Sequence, residues 1–182
     1  YKLFPSKDTT LYSLFPTMNT GLDPIIEATL TTFAYSNPNP QTSRFLISFD
    51  DTEIENVISS SIGISSSAQL LDTGSWKATL NCFVATVTGL EVSPTGTLLE
   101  CYPVSGAWSM GTGQYLDEPI STDGCSWIWA GYSGSNLWQI PANGFSYPVG
   151  ATSSYTSSVY PGGGVWYTGS QYSSLVISRL SS

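Results

Sequence analysis

The chain of 182 residues contains no histidine. That absence removes the usual base for a nucleophilic serine or cysteine, so hydrolysis by a Ser-His-Asp or Cys-His arrangement is excluded. Cations are almost as scarce: Lys2, Lys7, Arg44, Lys77 and Arg179 stand against 13 acidic residues, for a net charge of −8. A surface that tracks phosphates needs clustered Lys and Arg, so nucleic acid is not an expected partner. No apolar run approaches the roughly 20 residues that span a bilayer, and no charged and then apolar leader opens the chain, so membrane insertion is not expected. The three cysteines, Cys82, Cys101 and Cys125, match no zinc-site spacing, and there is no histidine to complete one. They read as three reduced, mostly buried thiols, or as one Cys82–Cys101 disulfide with a remaining thiol.

What is present is apolar and hydroxylated. Hydrophobic residues make up 41% of the chain and aromatics 13%, while only 10% is charged, against roughly 25% in ordinary soluble proteins. That content is ample for one core, and the length suits a single domain over residues 1–182. Short β-prone runs predict strands at Thr9 to Tyr12, Ile25 to Thr32, Ser43 to Phe49, Ser67 to Leu71, Lys77 to Val87, Gly96 to Pro103, Ser126 to Ala130 and Ser174 to Arg179. Turn signals separate them, among them Asn37-Pro38-Asn39-Pro40, Asp123-Gly124 and Pro161-Gly162-Gly163-Gly164. One helical stretch is predicted, Asp51 to Ile58, capped by Asp50 or Asp51 with Ile54, Val57 and Ile58 on one face. Many short strands with such punctuation predict an all-β, jelly-roll-like antiparallel β-sandwich. From about Ala107 to Gly169 the composition shifts to Gly, Ser, Tyr and Trp, which reads as a loop-rich elaboration of the same domain.

Several residues are candidates for chemistry or contact. Trp127, Trp129, Tyr132 and Trp138 crowd one segment; on a strand, Trp127 and Trp129 share a face, suited to stacking on sugar rings or on a neighbouring subunit, and equally to core packing. Arg44 sits in an apolar run, where a buried guanidinium needs a carboxylate or several carbonyls, with Asp8 or Glu27 as the expected ion-pair partner. Asp50, Asp51 and Glu53 offer oxygens to a structural calcium, although their spacing lacks the alternation of a dedicated loop and helix capping explains them as well. No other cofactor is expected. Paired carboxylates can also run glycoside hydrolysis, but Asp117, Glu118, Glu100 and Asp123 stand in no organised setting and read as solvated loop charges. An enzyme is therefore not expected.

Three spaced pieces match together: Pro5 to Tyr12 around Asp8, Asn19-Thr20-Gly21, and Ser43 to Asp50 around Arg44 and Phe49. In order and spacing they resemble the opening of the disaggregatase-related, DNRLRE-type β-sandwich, a carbohydrate-binding-module-like domain. Trp108-Ser109-Met110-Gly111-Thr112-Gly113 and Gly162 to Gly169 are similar to the version found in virion proteins of tailed phages of marine cyanobacteria. The resemblance implies a short helical turn after Phe49-Asp50. It also implies a virion structural protein at the particle surface, as a capsid decoration, a neck or tail appendage, or a fibre component. The alternative it implies is a glycan-binding adhesion module for host recognition. The expected partners are other virion proteins, further copies of the chain and, on the second reading, a host-surface glycan. The expected location is the outside of the particle, after assembly in the host cytoplasm.

Overall fold

The computed structural model describes residues 1–31, 41–63, 77–83, 97–104, 106–138, 151–155, 161–167 and 173–177. Contacts divide the chain into two compact units, one of Tyr1–Lys7 with Ile47–Thr88 and one of Asp8–Leu46 with Gly89–Ser182.

In the first unit, helix α1 spans Asp51–Asn56 and continues as a π-helical segment over Val57–Ile62. Asp50 stands before it in extended conformation and its Oδ1 accepts from the Glu53 amide at 2.9 Å, which satisfies one orphan donor of the first turn. Asp51 and Glu53 add negative charge there, where the helix dipole favours it. The π-helical segment closes on Gly63 at φ 76°. The predicted strand at Lys77 to Val87 is not formed over residues 77–83, which lie exposed outside any strand. Its alternation buries no face there: Leu80 and Phe83 are both exposed. The predicted strand at Ser67 to Leu71 lies outside the described residues.

In the second unit the strands are β1 (Lys7–Tyr12), β2 (Thr29–Thr31), β3 (Gln41–Ser48), β4 (Thr97–Cys101), β5 (Ala151–Tyr155), β6 (Pro161–Tyr167) and β7 (Ser173–Ile177). The first and third run through the positions at which the units divide. The sheet order is β1-β3-β2, with β2 antiparallel to β3 from Thr29 opposite Ser43 to Thr31 opposite Gln41. β4 pairs antiparallel with β7 and β5 with β6, the latter interrupted by an irregularity between Thr152 and Ser154.

The core of this unit gathers Leu11, Leu46, Trp108, Cys125, Trp127, Trp138 and Val165. Trp127 is 1% exposed, and its ring and carbonyl fill the space where side chains at Gly162 and Gly163 would stand. The run Pro161 to Gly164 is therefore the start of β6 and not the turn predicted for it, since glycine in a strand admits a close neighbour. Gly163 also has φ 80°, which a β-carbon would strain. The predicted strand Ser126 to Ala130 is instead a tight turn: the Ser126 amide donates to the Trp129 carbonyl at 2.8 Å and the Trp129 amide to the Ser126 hydroxyl at 3.3 Å. A serine side chain that bonds its own backbone competes with strand pairing. Trp129 then forms a single antiparallel bridge with Leu137.

All three cysteines carry thiols. Cys125 is buried in the core, but Cys82 and Cys101 are exposed, which corrects the expectation of mostly buried thiols. For Cys82 the reason is that the strand meant to bury it is not formed.

Candidate functional site

Asn19 organises the face on which the candidate site lies. Its side chain is fully buried and makes four hydrogen bonds: Nδ2 donates to the Met110 carbonyl at 2.7 Å and the Cys125 carbonyl at 2.8 Å, while Oδ1 accepts from the amides of Gly21 at 3.2 Å and Gly113 at 2.9 Å. The first-third turn Asn19-Thr20-Gly21 is thus locked to Trp108-to-Gly113 and to Gly124-Cys125. Gly21 and Gly124 have no room for a β-carbon because the Met110 backbone stands against both.

Thr20 extends the same turn to β1, accepting from the Thr10 amide at 3.1 Å and donating to the Thr10 carbonyl at 2.7 Å. Thr10 in turn accepts from the Glu27 amide at 3.0 Å through its hydroxyl. These bonds carry Tyr12, at the end of β1, to Glu27: the Tyr12 hydroxyl donates to Glu27 Oε2 at 3.0 Å. Burial first, and then the Glu27 charge, push the Tyr12 phenol above its ordinary range, so it stays a donor well into the alkaline range.

The loop after Gly113 closes over this pair. Asp117 Oδ2 accepts from the Gln114 amide at 2.7 Å, and Asp23 Oδ1 accepts from the Tyr115 amide at 2.9 Å. Tyr115 lies 5.0 Å from the Tyr12 ring and edge-on to Phe15 at 5.9 Å. Tyr12, Leu14, Phe15 and Tyr115, with Glu27, Thr29 and Thr42, line an open cleft of about 140 Å³. Leu14, Leu22, Ile25, Leu116 and Ile120 are exposed on the same loops, and Leu116 holds a left-handed backbone at φ 60° without being glycine. Strain of that kind is retained where surrounding structure enforces it, often at binding loops.

The residues predicted for contact fall elsewhere. Trp127 and Trp138 are core, the latter donating through Nε1 to the Ser126 carbonyl at 2.7 Å, so neither offers a platform to sugar or subunit. Trp129 is half-buried and Tyr132 exposed, and the turn at Ser126 removes the shared strand face on which the platform rested. Arg44 is corrected as well. Its guanidinium lies between Trp127 and Trp166, 5.0 and 4.9 Å from the ring centroids, and Nη1 donates to the Gly163 carbonyl at 3.1 Å. Indole faces and a carbonyl thus take the place of the carboxylate; Glu27 is engaged with Tyr12, and desolvation raises the Asp8 carboxyl above its usual range. Asp50 is occupied as the helix cap, Asp51 and Glu53 are exposed, and among the described residues no three metal-ligating side chains gather.

The cleft was not legible in the sequence, because Tyr12, Glu27 and Tyr115 are brought together by the Asn19, Thr20, Thr10 and Asp23 bonds, all between residues far apart or without a local pattern. The one available signal was Asp23, an acidic turn residue able to hold a backbone amide.

Asp123 ties the neighbouring loop, its Oδ2 accepting from the Thr112 hydroxyl at 2.6 Å and its Oδ1 from the Thr112 amide at 2.9 Å and the Ser121 hydroxyl at 3.0 Å. The Thr112 bonds hold its carboxyl below the usual carboxylate range. A depressed folded value contributes stability above the unfolded value, and that stability is lost as pH falls through the folded one. Asp123→Asn is therefore expected to lower Tm by about 2 °C at pH 7, with the difference from wild type vanishing in acid below the carboxylate range. Melting curves across pH test this, and a difference independent of pH refutes it.

No family model, curated protein or solved structure matches the chain. No helix among the described residues is long and apolar enough to cross a membrane.

Proposed function

We propose that the chain is a non-catalytic structural component of the outer surface of a tailed-phage particle, present in several copies. The observation that carries this reading is the exposed apolar face around Tyr115, Leu116 and Ile120, held by carboxylate-to-amide bonds on a segment that has no Lys or Arg from Ala107 to Gly169. Contact centres between proteins favour aromatic residues and disfavour Lys. The resemblance to virion proteins of marine cyanobacterial phages supports the same reading, and three thiols accord with assembly in a reducing cytoplasm. Glycan adhesion loses the platform proposed for it, since Trp127 and Trp138 are buried.

The test is electron microscopy of intact particles with the chain located in density, together with its copy number from quantitative mass spectrometry of purified virions. Stoichiometric, ordered density at the particle surface is the expected result. Absence from purified particles, or a place in contact with packaged DNA, overturns the proposal.

A further inference from the structure

We propose that the cleft of Tyr12, Phe15 and Tyr115 receives the Tyr1–Phe4 segment of a second copy of the chain, with Lys2 of that segment set against Glu27. The inference rests on the reading of the protein as a multi-copy component and names the partner of its exposed face.

Charge selects the occupant. In a chain of net charge −8, most self-contacts bring acid against acid, and the cleft wall carries Glu27 with Asp23 beside it. Residues 1–6 are the exception: they carry Lys2, one of the five cations, and no acidic residue. Arg44, by contrast, is held between two indoles.

Shape points the same way. Phe4 is 67% exposed and lies outside any helix or strand. Lys2 Nζ sits 5.1 Å over the Phe4 ring, so cation and ring are presented together. The cleft offers the complement, a wall of aromatic rings with a carboxylate beside it, and its 140 Å³ is the scale of one side-chain ring, well below the roughly 300–1,000 Å³ that takes a drug-sized ligand. Pro5 holds Phe4 near extended backbone, which lowers the ordering cost of docking. The Lys77–Phe83 segment also pairs a cation with an exposed aromatic, but five residues of sequence lie between the two.

Analytical ultracentrifugation of the whole chain tests the proposal, with melting curves confirming that each variant is folded. Wild type is expected to self-associate, and Lys2→Glu, Glu27→Lys and Phe4→Ala are each expected to weaken association by about tenfold. Mixing the Lys2→Glu and Glu27→Lys proteins is expected to restore it, because each arm then meets a cleft of opposite charge on the other protein. A monomeric wild type overturns the proposal, as do folded variants that associate like wild type, or a mixture that fails to recover. It is equally overturned if Lys77→Glu or Phe83→Ala abolishes association while Lys2→Glu does not, or if glucose or galactose binds the cleft and leaves association untouched. These outcomes are separate from the location of the chain in the particle: surface density with unaffected Lys2→Glu association removes the arm and leaves the surface reading standing.

Discussion

Asn19→Ala is expected to destabilise the protein by about 4–6 kcal/mol. Four backbone partners lose their bond to this side chain: the part-buried carbonyl of Met110, and the buried carbonyl of Cys125 and amides of Gly21 and Gly113. Losing a hydrogen bond to a buried backbone group costs roughly 1–3 kcal/mol, so the loss of four together exceeds the effect of most single substitutions even where water or another partner replaces some of them. Against a net stability of about 5–15 kcal/mol, much of the population then unfolds at moderate urea. Asn19→Asp discriminates further: it keeps the shape but presents an acceptor to the two carbonyls, so it should fail in the same way. Urea unfolding followed by tryptophan fluorescence measures both. A loss under about 1 kcal/mol would mean that these backbone groups are solvated and that the turn is not the lock described above.

Arg44→Ala carries the second largest expected loss, about 3 kcal/mol. Two indole faces contribute about 1 kcal/mol each when partly desolvated, the bond to the Gly163 carbonyl about 1 kcal/mol, and the vacated space adds a cavity term. Part of the packing survives in Arg44→Met, which should therefore lose less than Arg44→Ala. Asp8→Asn and Glu27→Gln separate this arrangement from an ion pair: stacking between Trp127 and Trp166 predicts that neither approaches the loss of Arg44→Ala. Thermal melts of the four variants check it. A loss in Asp8→Asn or Glu27→Gln equal to that in Arg44→Ala would restore the carboxylate partner.

Local rules located the elements whose cause is local. β1, β3, β4 and β7 lie on predicted β-prone runs, and α1 begins where Asp50 caps it, because strand propensity and a three-residue cap act over distances the sequence displays directly. The errors have both distant and local causes. Pro161 to Gly164 carries every mark of a turn, yet Trp127 packs against Gly162 and Gly163 at the start of β6 and leaves no room there for a β-carbon. Ser126 to Ala130 alternates like a strand, but the Ser126 hydroxyl closes a turn there. β5 was missed altogether, since its residues Ala151–Tyr155 are small and hydroxylated and its pairing with β6 is long-range.

By itself the sequence determined what depends on composition: the absence of histidine chemistry, the scarcity of cations, an apolar content sufficient for a core, and the need for Arg44, set in an apolar run, to find partners. Only the tertiary structure decided who those partners are and where the contact face lies. Trp127 and Trp166 reach Arg44 across more than eighty positions of sequence, and Tyr115 reaches Tyr12 across about a hundred, through ring contacts that no local pattern encodes. Burial has the same origin. A tryptophan reads alike on a core face and on a contact face, and it is the turn at Ser126 and the glycines of β6 that accommodate Trp127 inside, while the Asp23 bond holds the half-exposed Tyr115 at the cleft.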